Sequence, residues 1–404
     1  MKNQLKGSLD LPGSKSESNR ALMIAAYGGF PLEVTGLSDA HDTELLKALL
    51  AQSTDEVNCE DAGTVARFLM TYLSCHEGSW LLTGTERLCQ RPMRPLVEAL
   101  RQLGADIQYV DAEGFLPVRI HGVSIKGGEA EVDASTSSQF ISSLLLAAPM
   151  WENGLRLKLG PNLASMPYID MTIAMMRQFG AMVQKEERLI IVRPCPYQAM
   201  PFVVSPDWSA ASYWYEMAAL SERCDLLLKG LAPDSLQGDA VVAAWYKAFG
   251  VETVFTPEGA HLRKTVKEAP EAMAAPLFFD FSAHPDLFPA VFVTCVALGV
   301  PARFDGTANL SQKESDRVES LIAELLKIYK FKYVINNYII DFEKLYFNYN
   351  INNDIVFNTY NDHRIAMALA GLSLKNGPMK FDKPEVVAKS YPGFWKDMLS
   401  MSLQ

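Results

Sequence analysis

An α/β protein of two domains is the fold class predicted here, and three observations predict it. The chain of 404 residues exceeds what one ordinary core accommodates. Its composition, 49% hydrophobic and 21% charged, is that of a globular protein with ample core-forming material. The third observation is a recurring module, an amphipathic helix that closes on glycine and runs into an alternating strand. "VEALRQLGADIQ" (97–108), "IAMMRQFGAMVQ" (173–184) and "VAAWYKAFGVET" (242–253) are its copies, with Gly104, Gly180 and Gly250 at the helix ends. A left-handed residue commonly stops a helix there. "ESLIAELLKIYKFKYVI" (319–335) repeats the pattern with Lys330 in the glycine's place. Copies at roughly seventy-residue spacing read as internal duplication, giving βαβ-type units whose helices pack on mixed sheets.

Taken in chain order, the first segment with chemical content is "LPGSKSESNR" (11–20). A mononucleotide loop needs glycine directly before its lysine, and Ser14 stands between Gly13 and Lys15. What remains is a turn, two hydroxyls and an ammonium ahead of a helix that carries Arg20 on its early turns. A helix N-terminus with Lys and Arg receives an anion; a capped helix with solvated cations fits the same residues. "DAGTVARFL" (61–69) is a second glycine-containing helix start, with Arg67 just inside. "ASTSSQF" (134–140) sets Ser137, Ser138 and Gln139 together, which reads either as an N-cap or as a set of uncharged donors for a sugar-like or phosphorylated ligand.

Further along, "HPDLFPAVFVTCVAL" (284–298) puts Asp286 at the start of an apolar helix, as an N-cap or as a functional carboxylate. "NLSQKESDR" (309–317) holds Lys313, Glu314 and Arg317 within five positions. Lys313 and Arg317, four apart on a helix, would share one side, an arrangement suited to an anion. "TYNDHRIAMALAGL" (359–372) places Asp362, His363 and Arg364 before another apolar helix, and Lys389 lies in "VAKSYPGF". Between these, residues 330–358 are rich in Asn, Tyr and Ile and lack Gly and Pro. Asn336-Asn337 predicts a tight hairpin between edge or peripheral strands without chemistry.

The formal net charge of −10 excludes a general nucleic-acid or membrane-surface binder. Anionic ligands must then be met by locally gathered Lys and Arg. Six cysteines without C-x-x-C pairing read as reduced thiols, and no Cys/His cluster marks a metal site. No apolar signal core or bilayer-length run is present, so a cytoplasmic protein is expected.

The ordered set "LPGSKSESNRALMIAA", "AGT" with Arg67, "QRPM", "SSQF", "PYID", Pro285-Asp286, "KESDR", "NDHRIAMA" and "AKSYPGF" resembles the 5-enolpyruvylshikimate-3-phosphate synthase family over nearly the whole chain. The resemblance implies a two-domain enolpyruvyl-transferase fold, each domain built from three βαβαββ-type units, with the active site in the interdomain cleft. It implies domains of 14–205 and of 1–13 with 206–404. It implies transfer of the enolpyruvyl group of phosphoenolpyruvate to the 5-hydroxyl of shikimate 3-phosphate by a monomer, without metal or organic cofactor. Lys15, Ser16, Arg20, Ser137, Ser138, Gln139, Ser165, Tyr168, Asp286, Asn309 and Lys313 match the shikimate 3-phosphate site. Lys15, Gly63, Arg91, Gln139, Arg317, Arg364 and Lys389 match the phosphoenolpyruvate site, with Arg67 in support. Asp286 matches the base on the 5-hydroxyl, Glu314 the group exchanging a proton at C3, and Lys15 a cation touching both substrates. Glyphosate is expected to occupy the phosphoenolpyruvate site.

Glu17, Glu60-Asp61, Met166 and Ser311-Gln312 depart from the family pattern, and the added negative charge beside Gly63 is expected to weaken phosphoenolpyruvate binding. Two other readings compete. An enolpyruvyl transferase acting on a UDP-amino sugar would begin with Lys-Asn and carry a loop cysteine. Here Lys15-Ser16 stands, and no cysteine lies between Arg91 and Ser137. An inactive anion-binding homologue would have lost Asp286 or Glu314.

Overall fold

Residues 4–52, 54–133, 135, 137–161, 165–264, 275–337, 339–348 and 355–402 are described by a computed structural model. The chain divides into two units, Met1–Ser14 with Ser205–Gln404, and Lys15–Val204. The second is one insertion into the first. Its two junctions are held side by side, because Ser14 N–H donates to the Ser205 carbonyl at 2.8 Å and Asp207 N–H to the Pro12 carbonyl at 3.0 Å.

Among the described residues, each unit contains two four-stranded sheets made to one plan. In spatial order, Lys15–Val204 has Glu56–Asn58, Gly78–Thr83, Val118–Gly122, Asp106–Tyr109 and then Gly128–Val132, Leu155–Leu159, Leu189–Val192, Val183–Lys185. The other unit has Gln4–Asp10, Arg223–Lys229, Gly259–Lys264, Glu252–Thr256 and then Leu277–Asp280, Ala302–Asp305, Ile339–Asn348, Tyr329–Asn336. In every sheet the first pair is parallel and the later pairs are antiparallel. A parallel pair requires a crossover, usually a helix. Gly63–Ser74, Gln139–Ala147 and Phe288–Leu298 supply it in three sheets. In the fourth, the insertion and the Trp208–Leu220 helix intervene. Where the resemblance implied a third full repeat, the described residues form a two-stranded parallel pair in each unit: Val34–Thr35 with Phe202–Val203, and Val356–Phe357 with Lys380–Phe381.

The glycine-closed helices follow the expected pattern. Gly104, Gly180 and Gly250 have φ of 95°, 89° and 79°, a region that costs glycine nothing. The fourth copy needs no glycine. Leu326 stays right-handed, and Ile328 N–H closes the turn on the Leu325 carbonyl at 3.1 Å, so Lys330 falls inside the strand Tyr329–Asn336. That strand is a sheet edge, as expected, but its hairpin partner Ile339–Asn348 is internal. Asn337 takes φ 48° in the turn between them; Tyr338 and 349–354 lie outside the described residues.

Leu155–Leu159 alternates buried and exposed positions, as a half-covered strand should. Phe288–Leu298 is buried on nearly every side, because the Trp208–Leu220, Arg317–Leu325 and His363–Gly371 helices all pack against it. Phe281, Phe288, Phe292 and Phe304 interlock there with ring centroids 5.2–6.2 Å apart. Truncating one such ring to alanine costs about 3–5 kcal/mol, so this core holds the helix termini that carry the charged residues. Among the described residues no helix is long and apolar enough to cross a membrane.

Candidate active site

In Lys15–Val204 the first helix begins at Lys15 itself. The Lys15 ammonium meets a carboxylate oxygen of buried Asp42 at 2.8 Å. Arg20 is 2% exposed, and its guanidinium is engaged on several sides. Nε donates to Thr172 Oγ1 at 2.7 Å, and the terminal nitrogens donate to the Ser16 carbonyl at 2.9 Å and to Ser142 Oγ and the Tyr168 carbonyl at 3.2 Å. Burial lowers its pKa to about 10, against the opposing influence of Tyr168 and Glu17, so it stays charged at neutral pH. Arg20 therefore fixes the backbone of two other candidate substrate contacts, Ser16 and Tyr168. Ser165 sits at φ 58° immediately before the Met166–Gln178 helix, an uncommon conformation for a residue with a Cβ.

The second grouping surrounds the start of the Gly63–Ser74 helix. Arg67 donates to Gln139 Oε1 at 2.7 Å and Gln139 Nε2 to Thr64 Oγ1 at 2.7 Å, so the amide has one defined orientation. A Cβ on Gly63 would lie 2.6 Å from a terminal nitrogen of Arg91 and 2.8 Å from one of Arg67. Glycine is what lets two guanidinium groups crowd this helix start. Of the hydroxyls before Gln139, Ser137 caps the helix by accepting the Gln139 N–H at 3.3 Å, while Ser138 makes no side-chain cap. Ala134 and Thr136 lie outside the described residues. Glu60, one of the departures, has φ 50° and meets His41 Nε2 at 2.6 Å, so part of the negative charge beside Gly63 is directed at a histidine.

The other unit gathers Asp286, Glu314, Arg317 and Arg364. Arg317, 1% exposed, donates Nε to Asp362 Oδ2 at 2.9 Å, one terminal nitrogen to Asp286 Oδ1 at 2.9 Å and the other to Glu314 Oε2 at 3.0 Å. Arg364 donates to the second Asp286 oxygen at 2.8 Å and to the Tyr213 hydroxyl at 3.4 Å. The N-cap reading of Asp286 fails. It sits in the 3₁₀ turn Pro285–Leu287, and the following helix has no side-chain cap. Burial would raise its pKa, but Arg364, Lys313 and Arg317 outweigh burial and the repulsion of Glu314, holding the carboxyl well below the usual range. Burial likewise opposes the charge on Arg317, which Asp362, Glu314 and Asp286 more than restore.

Lys313 and Arg317 do not share a helix face. Asp316 caps the Arg317–Leu325 helix by accepting Val318 and Glu319 N–H at 3.1 Å, so the helix starts at Arg317 and Lys313 lies in the extended segment before it. Asn309 and Lys389 are both buried, at the start of one 3₁₀ turn and the end of another. Asn309 Oδ1 is a buried acceptor without a hydrogen-bond partner among the described residues.

Four partners went unassigned from sequence. Asp362 and Asp316 could be read as helix caps, but Asp362 serves Arg317 as well as the Arg364 N–H. Asp42 and Tyr213 carry no local signal. Among the described residues no group of three or more His, Cys, Asp or Glu is arranged to hold a metal, and all six cysteines are free.

A family model described as EPSP synthase (3-phosphoshikimate 1-carboxyvinyltransferase) matches residues 45–398. A 3-phosphoshikimate 1-carboxyvinyltransferase of Bacteroides fragilis is 41% identical over 98% of this chain and 95% of its own. An EPSP synthase structure from Acinetobacter baumannii superposes with a TM-score of 0.75 at 24% identity, covering 98% of this chain and 96% of that one. The enolpyruvyl transferase NikO of Streptomyces tendae shares the fold with a TM-score of 0.71 at 14% identity, over 98% and 95%. On the extent of the family match and the identity to the Bacteroides relative, this chain belongs to the EPSP synthase family.

Proposed function

We infer that the protein is a 3-phosphoshikimate 1-carboxyvinyltransferase, transferring the enolpyruvyl group of phosphoenolpyruvate to the 5-hydroxyl of shikimate 3-phosphate with release of phosphate. The observation that carries the reading at the level of chemistry is the alternation of half-buried Asp286 and Glu314 with buried Arg317 and Arg364. The reaction needs fixed cations for a phosphate and a carboxylate, and two carboxylates to move protons.

The bond changes assign the roles. The 5-hydroxyl oxygen forms a bond to C2 of phosphoenolpyruvate and loses its proton, while C3 gains one. The proton at C3 must leave again when the C2–O bond to phosphate breaks, since the product retains the double bond. Asp286 is the base for the hydroxyl and Glu314 the group that exchanges the C3 proton. Held down by Arg364, Lys313 and Arg317, Asp286 is a poor base until an anion occupies those cations. Substrate phosphate and carboxylate groups would do so, coupling phosphoenolpyruvate binding to the basicity that attack requires.

Lys15, Arg91 and Lys389, with Gly63 and Gln139, complete the phosphoenolpyruvate contacts; Arg67 orients Gln139. Ser16, Arg20, Ser137, Ser138, Ser165, Tyr168, Asn309 and Lys313 serve shikimate 3-phosphate. The unpartnered Asn309 Oδ1 supports a ligand hydroxyl at that position. The reading describes a monomer without metal or organic cofactor in the cytoplasm, a reducing setting that suits six free thiols. The test is phosphate release with each substrate omitted in turn. Release that requires both supports the reading, and release from phosphoenolpyruvate alone overturns it.

A further inference from the structure

The segment that delivers Asp362 and Arg364 is held in an unusual conformation. Tyr360 and Asn361 have φ of 54° and 53°, so two successive side-chain-bearing residues occupy the left-handed region just before the helix. Such pairs persist only when the surroundings over-determine them. The surroundings here centre on Glu324, which is fully buried at the far end of the Arg317–Leu325 helix. Its Oε1 accepts from the Tyr360 hydroxyl at 2.8 Å and from Asn358 Nδ2 at 3.3 Å; its Oε2 accepts from the Asn358 N–H at 2.9 Å and from Lys327 Nζ at 2.5 Å. Lys327 Nζ also donates to the Val356 carbonyl at 3.0 Å.

One helix thus grips the segment twice. Glu324 holds residues 358 and 360, while Arg317, two turns earlier, holds Asp362. Asp362 N–H is tied to the Thr359 carbonyl at 2.8 Å, so a shift at Asn358 or Tyr360 is passed to Asp362 and to the start of the helix bearing Arg364. We propose that Glu324 is a positioning residue that sets Asp362 and Arg364 in register with Arg317, and so governs affinity for phosphoenolpyruvate. The proposal rests on the enolpyruvyl-transfer reading.

The test compares wild type with Glu324→Gln, Glu324→Ala and Tyr360→Phe. Tyr360→Phe deletes one bond to Glu324 at a residue 37% exposed, which keeps the test open if a Glu324 variant fails to fold. The expected result is a rise in KM for phosphoenolpyruvate of about tenfold for Tyr360→Phe, the scale of one charge-assisted bond. Glu324→Ala should rise further than Glu324→Gln, and KM for shikimate 3-phosphate should stay within about twofold. Hydrogen exchange without ligands should quicken at residues 358–364 in all three. A fall in melting temperature with both KM values unchanged means that Glu324 is structural only, and overturns the proposal. Wild type that fails to release phosphate from the substrate pair overturns the enolpyruvyl-transfer reading and the proposal with it; active wild type with unaltered variants overturns the proposal alone.

Discussion

On the proposed reading, Lys15 and Gly63 would act by opposite means, one through its charge and the other through its missing side chain. Lys15→Met keeps the stem but leaves Asp42, which is 2% exposed, without its ammonium partner and, on the proposed reading, removes a donor to substrate phosphate. Losing one member of a buried charge pair typically costs ~2–5 kcal/mol, so kcat/KM should fall at least about thirtyfold. Steady-state kinetics giving a near-normal kcat/KM would remove Lys15 from the site. For Gly63→Ala the added Cβ collides with the ends of Arg91 and Arg67 and not with backbone. The fold should therefore survive, with stability changed by no more than about 1 kcal/mol. The displaced guanidiniums should raise KM for phosphoenolpyruvate and, if glyphosate occupies the phosphoenolpyruvate site as the family reading implies, weaken inhibition by that slightly longer molecule by a larger factor. Inhibition constants measured against varied phosphoenolpyruvate check this, and equal glyphosate inhibition of the two proteins would detach Gly63 from the site.

At the scale of elements, charged residues are aimed by where helices begin. Asp316 fixes the start of Arg317–Leu325 and Asp362 that of His363–Gly371, and in each case an arginine of the candidate site lies within two residues of the cap. Asp316→Ala should cost about 1 kcal/mol of stability in urea unfolding. It should also raise KM for phosphoenolpyruvate, because the fraying residue is Arg317; a stability loss with KM unchanged would separate cap from site. The glycine-ended helices at Gly104, Gly180 and Gly250 are legible in sequence, whereas the caps at Asp316 and Asp362 emerge from the structure. The same local logic explains an expectation that failed. Lys313 and Arg317 have helical spacing, but a cap at Asp316 outranks periodicity and excludes Lys313 from the helix.

At the scale of the whole molecule, one buried group makes stability depend on pH. Glu216, on the Trp208–Leu220 helix, is 0% exposed, and both its carboxylate oxygens lack hydrogen-bond partners among the described residues. A Cβ on Gly371 would lie 2.7 Å from one of them. Burial pushes its pKa well above the ordinary carboxylate range. With its pKa raised by burial, Glu216 is expected to stay neutral in the native state at pH values where the unfolded chain ionises it. Its stabilising effect is thus complete below the unfolded pKa and is lost as pH rises toward the folded one. Between those limits wild type should lose about 1.4 kcal/mol per pH unit relative to Glu216→Gln. Denaturant unfolding across pH 4–8 measures this slope, and parallel pH profiles for the two proteins would show that the carboxyl is ionised or solvated in the native state.

What the sequence determined by itself is whatever depends on near neighbours: repeated helix–glycine–strand modules, glycine helix ends, the Asn336-Asn337 turn, and an ordered set of motifs that named the family. The tertiary structure alone decided which charges meet. Asp286 could be read as a cap until Arg317 and Arg364, 31 and 78 residues away, were seen to claim both its oxygens. Arg20 finds Thr172 across 152 residues, and Glu324 grips Asn358 and Tyr360 across 34 and 36. Local signals arise because backbone conformation depends on adjacent side chains. These pairings arise because separate elements, each packed on its own core, bring their termini together, and no short window of sequence encodes that.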